Sequence, residues 1–171
     1  MVLARPMELT PLVERACRGD RAAFAALHER YARMVHAILL SQVPAEAAED
    51  LVQDVFLTAL DKLKTLKDPA QFGSWIGRIA RNRGTDFLRT RRTVVELPEL
   101  ARSAPPTAEA RQVLEAIRAL PEAYRETLLM RLVEGMTGPE IAEVTGLAPG
   151  SVRVNLHRGM AQLRASLGVT R

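Results

Sequence analysis

The helical hydrophobic period that runs through most of this chain stops between Thr93 and Thr107. Pro98, Pro105 and Pro106 fall in that stretch, and its few charges are mainly acidic. Proline lacks a backbone donor and blocks helix continuation, so the stretch reads as a linker. On this reading the 171 residues divide into a helical part at 1–92, a linker at 93–107 and a second helical part at 108–171. Ala, Leu, Arg and Glu dominate, and all four favour helices. Strand-like alternation is absent from both parts. The expected fold is all-α: two small helical domains joined by a flexible linker.

Local signals mark out the individual helices. Thr10-Pro11 predicts a helix start, with a hydroxyl cap and a proline at the first helical position. Gly19 ends that helix, and Asp20 caps a second one running to about Gln42. Its apolar residues Phe24, Leu27, Tyr31, Met34, Val35, Ile38 and Leu39 recur at intervals of three and four. After Pro44, a third helix from Ala45 to about Leu63 carries Leu51, Val52, Val55, Phe56, Ala59, Leu60 and Leu63 on one side. Asp68-Pro69 predicts a fourth helix to about Arg92, with Phe72, Trp75, Ile76, Ile79, Phe87 and Leu88 facing inward. Beyond the linker, helix resumes near Ala108. Pro121 opens another helix that Gly135 closes. Two short helices, Gly138 to Thr145 and Pro149 to about Leu167, then flank Gly146-Leu147-Ala148.

The net charge is only +4, from 24 Lys and Arg against 20 Asp and Glu, so no general polyanion binder is expected. The distribution is more informative. Met34 to Asp61 holds several carboxylates and no Lys or Arg, whereas Arg78 to Arg92 holds six Arg and one Asp. After Glu143 there is no acidic side chain. An acidic helix repels nucleic acid and suits a protein partner with a basic surface. A basic helix backed by apolar residues can follow a phosphate backbone, or can simply face water.

A short helix, a turn with glycine and a longer helix form the helix-turn-helix pattern. Ile141, Ala142, Val144, Leu147, Val152, Leu156, Met160 and Leu163 would make its small core. Ser151, Arg153, Val154, Asn155, His157 and Arg158 would face away. In a major groove, Arg can hold guanine with two bonds and Asn can hold adenine likewise. An ordinary helical hairpin with a solvated Arg face fits the spacing too. The lone Cys17 makes neither an internal disulfide nor a multi-cysteine zinc site and fits a reducing cytosol. No run of 18 apolar residues predicts a membrane span, and the first residues lack the apolar core of a signal peptide. The reading is therefore a cytoplasmic protein with no cofactor, no metal and no catalytic residues.

EDLVQDVFLTAL (Glu49 to Leu60) and FGSWIGRIARNRGTDFLRTRR (Phe72 to Arg92) resemble region 2 of the extracytoplasmic-function sigma factors of bacterial RNA polymerase. The stretch from Ala119 to Arg164 resembles their region 4. The resemblance implies a non-enzymatic subunit that binds core polymerase, recognises minus-10 and minus-35 promoter elements and promotes strand opening. It assigns core-polymerase docking to Asp50, Gln53, Asp54 and Phe56, with Phe56 alternatively in the core. It assigns minus-10 DNA to Lys64, Arg78, Arg81, Asn82, Arg83 and Arg89, with Trp75 supporting the fold. Minus-35 DNA falls to Ser151, Arg153, Asn155 and Arg158. It further implies an anti-sigma factor as partner.

The chain departs from the family pattern in places. Ala148 stands where a capping Ser or Thr is common, and Asn155 where a basic residue is frequent. Gly77 and Gly84 interrupt a usually better-formed helix, as a close approach by DNA or polymerase would require. A dimeric duplex-DNA regulator would explain only the second half of the chain. A nuclease or other enzyme would lack every recognisable catalytic motif.

Overall fold

The computed structural model describes residues 8–93 and 107–169, and the linker prolines lie outside them. Helices α1 (Leu9–Cys17), α2 (Arg21–Leu40), α3 (Ala45–Lys62) and α4 (Phe72–Thr93) form a first bundle. Helices α5 (Ala108–Arg118), α6 (Glu122–Leu132), α7 (Gly138–Thr145) and α8 (Pro149–Ser166) form a second. Among the described residues there is no strand.

α2 is the axis of the first bundle. Asp20 caps it by accepting from the Ala23 amide at 3.0 Å, and Leu27, Tyr31, Met34, Val35, Ile38 and Leu39 are all buried. α1, α3 and α4 pack around it. Gly19, at φ 91°, makes the left-handed turn between α1 and α2. Helix α1 begins at Leu9, before the expected Thr10 cap, with no side-chain cap. Pro11 is tolerated there because the first four amides of a helix have no intrahelical acceptor. Asp68 caps as expected, but its proline begins a short 3-10 turn, Pro69–Gln71, that feeds α4. Phe72 lies between Tyr31 and Trp75, with ring centroids 5.0 and 5.7 Å away. Two residues expected to face inward do not: Leu60 and Leu88 are 49% and 40% exposed.

Gly84 has an intramolecular explanation. A Cβ there would meet the Gln42 side-chain oxygen at 2.6 Å, so the glycine lets α4 cross the end of α2. At Gly77 an added Cβ would make only ordinary contacts with Ile38 and Arg81, both at 3.5 Å.

In the second bundle, α7 starts with a capping box. Thr137 accepts from the Glu140 amide, and the Glu140 carboxylate accepts from Thr137. Gly146 ends α7 at φ 73°. Helix α8 then begins with no side-chain cap at Ala148, and Pro149 sits in its first turn. Ile141, Val144, Val152 and Leu163 are buried between the helices. Leu147, expected in this core, is instead 40% exposed. Gly159 lets α8 lie close on α6, where a Cβ would meet Leu128 at 3.1 Å.

The two bundles pack directly on one another, α6 and α7 lying against α2, and α7 against α4. The sequence had left their relative placement undefined.

Candidate nucleic-acid interface

One face of α8 is exposed and carries two arginines and no carboxylate. Ser151, Arg153, Val154, His157 and Arg158 are exposed, and Asn155 is half-buried. The helix contains no carboxylate, so no side chain on it repels phosphate. Its buried stripe of Val152, Gly159 and Leu163 fixes which face remains outside.

The basic face of α4 is more committed. Arg78, Asn82 and Arg89 are exposed, as is Lys64 in the turn after α3. Arg89 pairs with Asp86 at 2.9 Å. Arg83 lies 3.5 Å from Asp54 on α3, so a residue assigned to DNA and one assigned to polymerase face each other. Asn82 and Arg83 line the groove between α3 and α4 together with Asp61, Lys62 and Asp86. Arg81 turns away from that groove into the seam between the bundles. Its Nε and Nη2 donate to the two oxygens of Glu126 at 2.9 and 2.7 Å. The side chain of Arg92 lies outside the described residues.

On α3, Asp50 and Gln53 are exposed and Asp54 is half-buried. Phe56 is not part of that surface. It is 4% exposed and packs edge-on against Phe24, with His28 on its other side. The apolar stripe of α3 runs through position 56, and burial there outweighs any contact outward.

The seam was not legible in the sequence. Five of the six carboxylates between residues 111 and 171 face basic groups of the first bundle. Glu122 and Glu126 meet Arg81, Glu134 meets His36, Glu140 meets Arg33, and Glu143 meets Arg30. The sixth, Glu115, pairs with Arg118. That guanidinium donates to the carbonyls of Leu40 and Val43, capping the end of α2 from the other bundle.

Among the described residues no three His, Cys, Asp or Glu cluster as metal ligands. None of the described helices is long and apolar enough to cross a membrane.

The sigma-70 region 2 family model matches residues 27–94, and the sigma-70 region 4 model matches residues 110–163. The chain is 32% identical to the RNA polymerase sigma factor CarQ of Myxococcus xanthus over 91% of its length and 95% of CarQ. It is also 32% identical to the ECF RNA polymerase sigma factor ShbA of Streptomyces griseus, over 90% of this chain and 92% of ShbA. The chain belongs to the extracytoplasmic-function sigma factors of the sigma-70 family. Its structure superposes on CnrH, solved in complex with the cytosolic domain of CnrY, with a TM-score of 0.60 and 27% identity. That match covers 95% of this chain and 99% of CnrH. A sigma factor is a DNA-binding initiation factor of RNA polymerase and not an enzyme.

The region 2 match spans the first bundle from α2 onward, and the region 4 match spans the second. The seam of this sigma factor therefore joins its region 2 to its region 4. Within it, protonated His36 donates through Nδ1 to the Glu134 carboxylate at 2.5 Å. That hydrogen bond raises the His36 pKa above 6.5, against the opposing effect of burial, with Glu134 and Glu49 adding attraction. Arg33 lines the same recess. Because the folded-state value is the higher one, the bridge contributes fully below about pH 6.5 and fades as pH rises through the folded value. His36→Gln is therefore expected to cost of the order of 1 kcal/mol in urea melts near pH 6. Near pH 9 it should cost much less. A pH-independent loss would contradict the protonated bridge.

Proposed function

We propose that this sigma factor divides its work along its helices. The exposed face of α3, through Asp50, Gln53 and Asp54, docks on core polymerase. Lys64 and the exposed side of α4, with Arg78, Asn82, Arg83 and Arg89, engage the minus-10 element, joined by Arg81 once it leaves the seam. Capturing an unpaired base there would offset the few kcal/mol that strand opening costs. Ser151, Arg153, Asn155 and Arg158 on α8 read the minus-35 element. The observation that carries this reading is the exposed, carboxylate-free face of α8, held in a helix-turn-helix whose other side is packed through Val152, Gly159 and Leu163.

The domain limits go with that division: residues 1–92 for polymerase and minus-10, 93–107 as linker, and 108–171 for minus-35. The site of action is the cytoplasm, where promoter and polymerase meet. An anti-sigma factor would hold the free protein inactive by covering its polymerase and DNA faces. CnrH was solved with the cytosolic domain of CnrY, which is a reason to seek a protein partner here.

Transcription in vitro with core polymerase on a promoter library tests the reading. The factor should select templates sharing two spaced elements. Failure to bind core or to support initiation would refute it, and tight operator binding without polymerase would favour a duplex-DNA regulator. Asp50→Lys is expected to weaken core binding about tenfold or more, leaving minus-35 duplex binding by the full chain unchanged. It is a cleaner probe than Asp54, which also faces Arg83. Equal loss of both activities would contradict the division of labour.

A further inference from the structure

Gly77 is the one glycine of α4 that packing does not call for. At Gly73 a Cβ would fall inside the Val144 carbonyl oxygen, and at Gly84 it would run into Gln42. At Gly77 it would touch only Arg81 Nη1 and Ile38 at 3.5 Å, and the Met34 methyl at 3.9 Å. Glycine inside a helix is less favourable than alanine, yet here no neighbour demands it. Leu147 is likewise out of its expected place, 40% exposed instead of buried in the helix-turn-helix core.

The two residues meet at one feature. A cavity of about 200 Å³ lies in the seam. Met34, Ile38 and Gly77 line it from the first bundle, and Met130 and Leu147 from the second. Both methionines are 1% exposed. Leu147 and Glu122, which also form part of the wall, are exposed, so a small molecule can enter without unfolding either bundle.

The lining says which molecule. Its hydroxyl hydrogens are already given away: Ser74 donates to the Gln71 carbonyl, Thr127 to the Ala123 carbonyl and Thr145 to the Ile141 carbonyl. The Arg81 guanidinium is balanced by Glu126 at 2.7 Å and Glu122 at 3.5 Å, so an anion entering here would face two carboxylates. What remains is attraction of another kind. Thioether sulfur and a guanidinium both favour aromatic rings, and Met34, Met130 and Arg81 all border the cavity. An apolar cavity of about 150 Å³ is enough to take up benzene.

We propose that this cavity is a binding site for a one-ring aromatic molecule that carries no negative charge. Gly77 keeps room for the ring, and Met34, Met130 and Arg81 hold it. A molecule bound there touches both bundles and stabilises their packing by linkage. The site depends on the packed geometry and not on which promoter element each region reads.

The full chain, labelled at its six methionine methyls with carbon-13, tests the site by nuclear magnetic resonance. Toluene is expected to shift the Met34 and Met130 methyl signals saturably and to leave Met160 unmoved. Benzoate at the same concentrations should shift none of them. Gly77→Ala sets a methyl in the site and should weaken toluene binding about tenfold, the effect of one methylene in an apolar pocket. The same substitution should not lower the urea midpoint, because the new Cβ meets nothing closer than 3.5 Å and alanine favours helix.

No saturable shift at Met34 and Met130 up to the solubility of toluene would overturn the site, as would shifts spread evenly over all the methionines. Equal shifts with benzoate would overturn the exclusion of negative charge. Unchanged toluene affinity in Gly77→Ala, or a lowered urea midpoint, would overturn the role given to Gly77.

Discussion

Phe72→Ala is expected to cost about 3–5 kcal/mol of folding stability, the range for emptying a buried aromatic site. Phe72 is fully buried and joins two aromatic contacts in series, Tyr31 to Phe72 and Phe72 to Trp75. It is also the first residue of α4. The cavity would therefore open where the helix carrying Arg78, Arg81 and Asn82 is anchored to α2. A domain of this kind has only about 5–15 kcal/mol to lose, so minus-10 binding should fall with stability. Urea denaturation followed by helix signal gives the free energy. Leu88→Ala, on the same helix but 40% exposed, should stay within about 0.5 kcal/mol of the unmodified protein. A loss below about 1 kcal/mol at Phe72, against that range, would mean that the aromatic series does not hold the helix.

The largest effect on DNA recognition is expected from Arg153→Ala combined with Arg158→Ala. Each Arg that holds a base edge with two bonds is worth about 1–3 kcal/mol. Loss of both should weaken minus-35 recognition by a factor of about 30 to several thousand, allowing for incomplete additivity. Both side chains are exposed and take no part in the buried stripe of α8, so the fold should be kept. Binding to matched and scrambled minus-35 duplexes separates two kinds of contact. Base reading predicts that the variant loses its preference for the matched duplex. Equal weakening on both duplexes would show that the two Arg contact only phosphate.

The helices were legible because their signals are local. Asp20, Asp68, Gly19 and Gly146 each act on residues within a few positions, and the apolar stripe of α2 repeats within its own length. The inward placement of Phe56 was legible on the same grounds, and the competing docking role yields to it. The seam was not legible because its partners lie far apart in the chain. Arg81 and Glu126 are 45 residues apart, and Arg30 and Glu143 are 113 apart. No period links such pairs. One signal was nonetheless present: every carboxylate of the second half precedes residue 144, so α8 carries none. Segregation of that kind separates a DNA face from a face turned toward something basic. That the basic object is the first half of the same chain follows only from the packing.

The Arg81 assignment illustrates the same limit from the other side. A run of six Arg on one helix suggests a single surface, yet α4 spends them in three directions: toward Asp54, toward Asp86 and toward Glu126. Helical rotation distributes neighbours around the axis, and only the location of the acidic partners decides which remain outward.

The pairing of Glu122, Glu126, Glu134, Glu140 and Glu143 with Arg81, His36, Arg33 and Arg30 also bears on modularity. Promoter-reading domains invite exchange between relatives, as interchangeable parts of one machine. Here the parts are keyed to each other. A chimaera taking region 4 from a donor without those carboxylates would keep its helix-turn-helix and lose the ion pairs that join it to region 2. Within this chain, the unit of inheritance is the matched pair of domains.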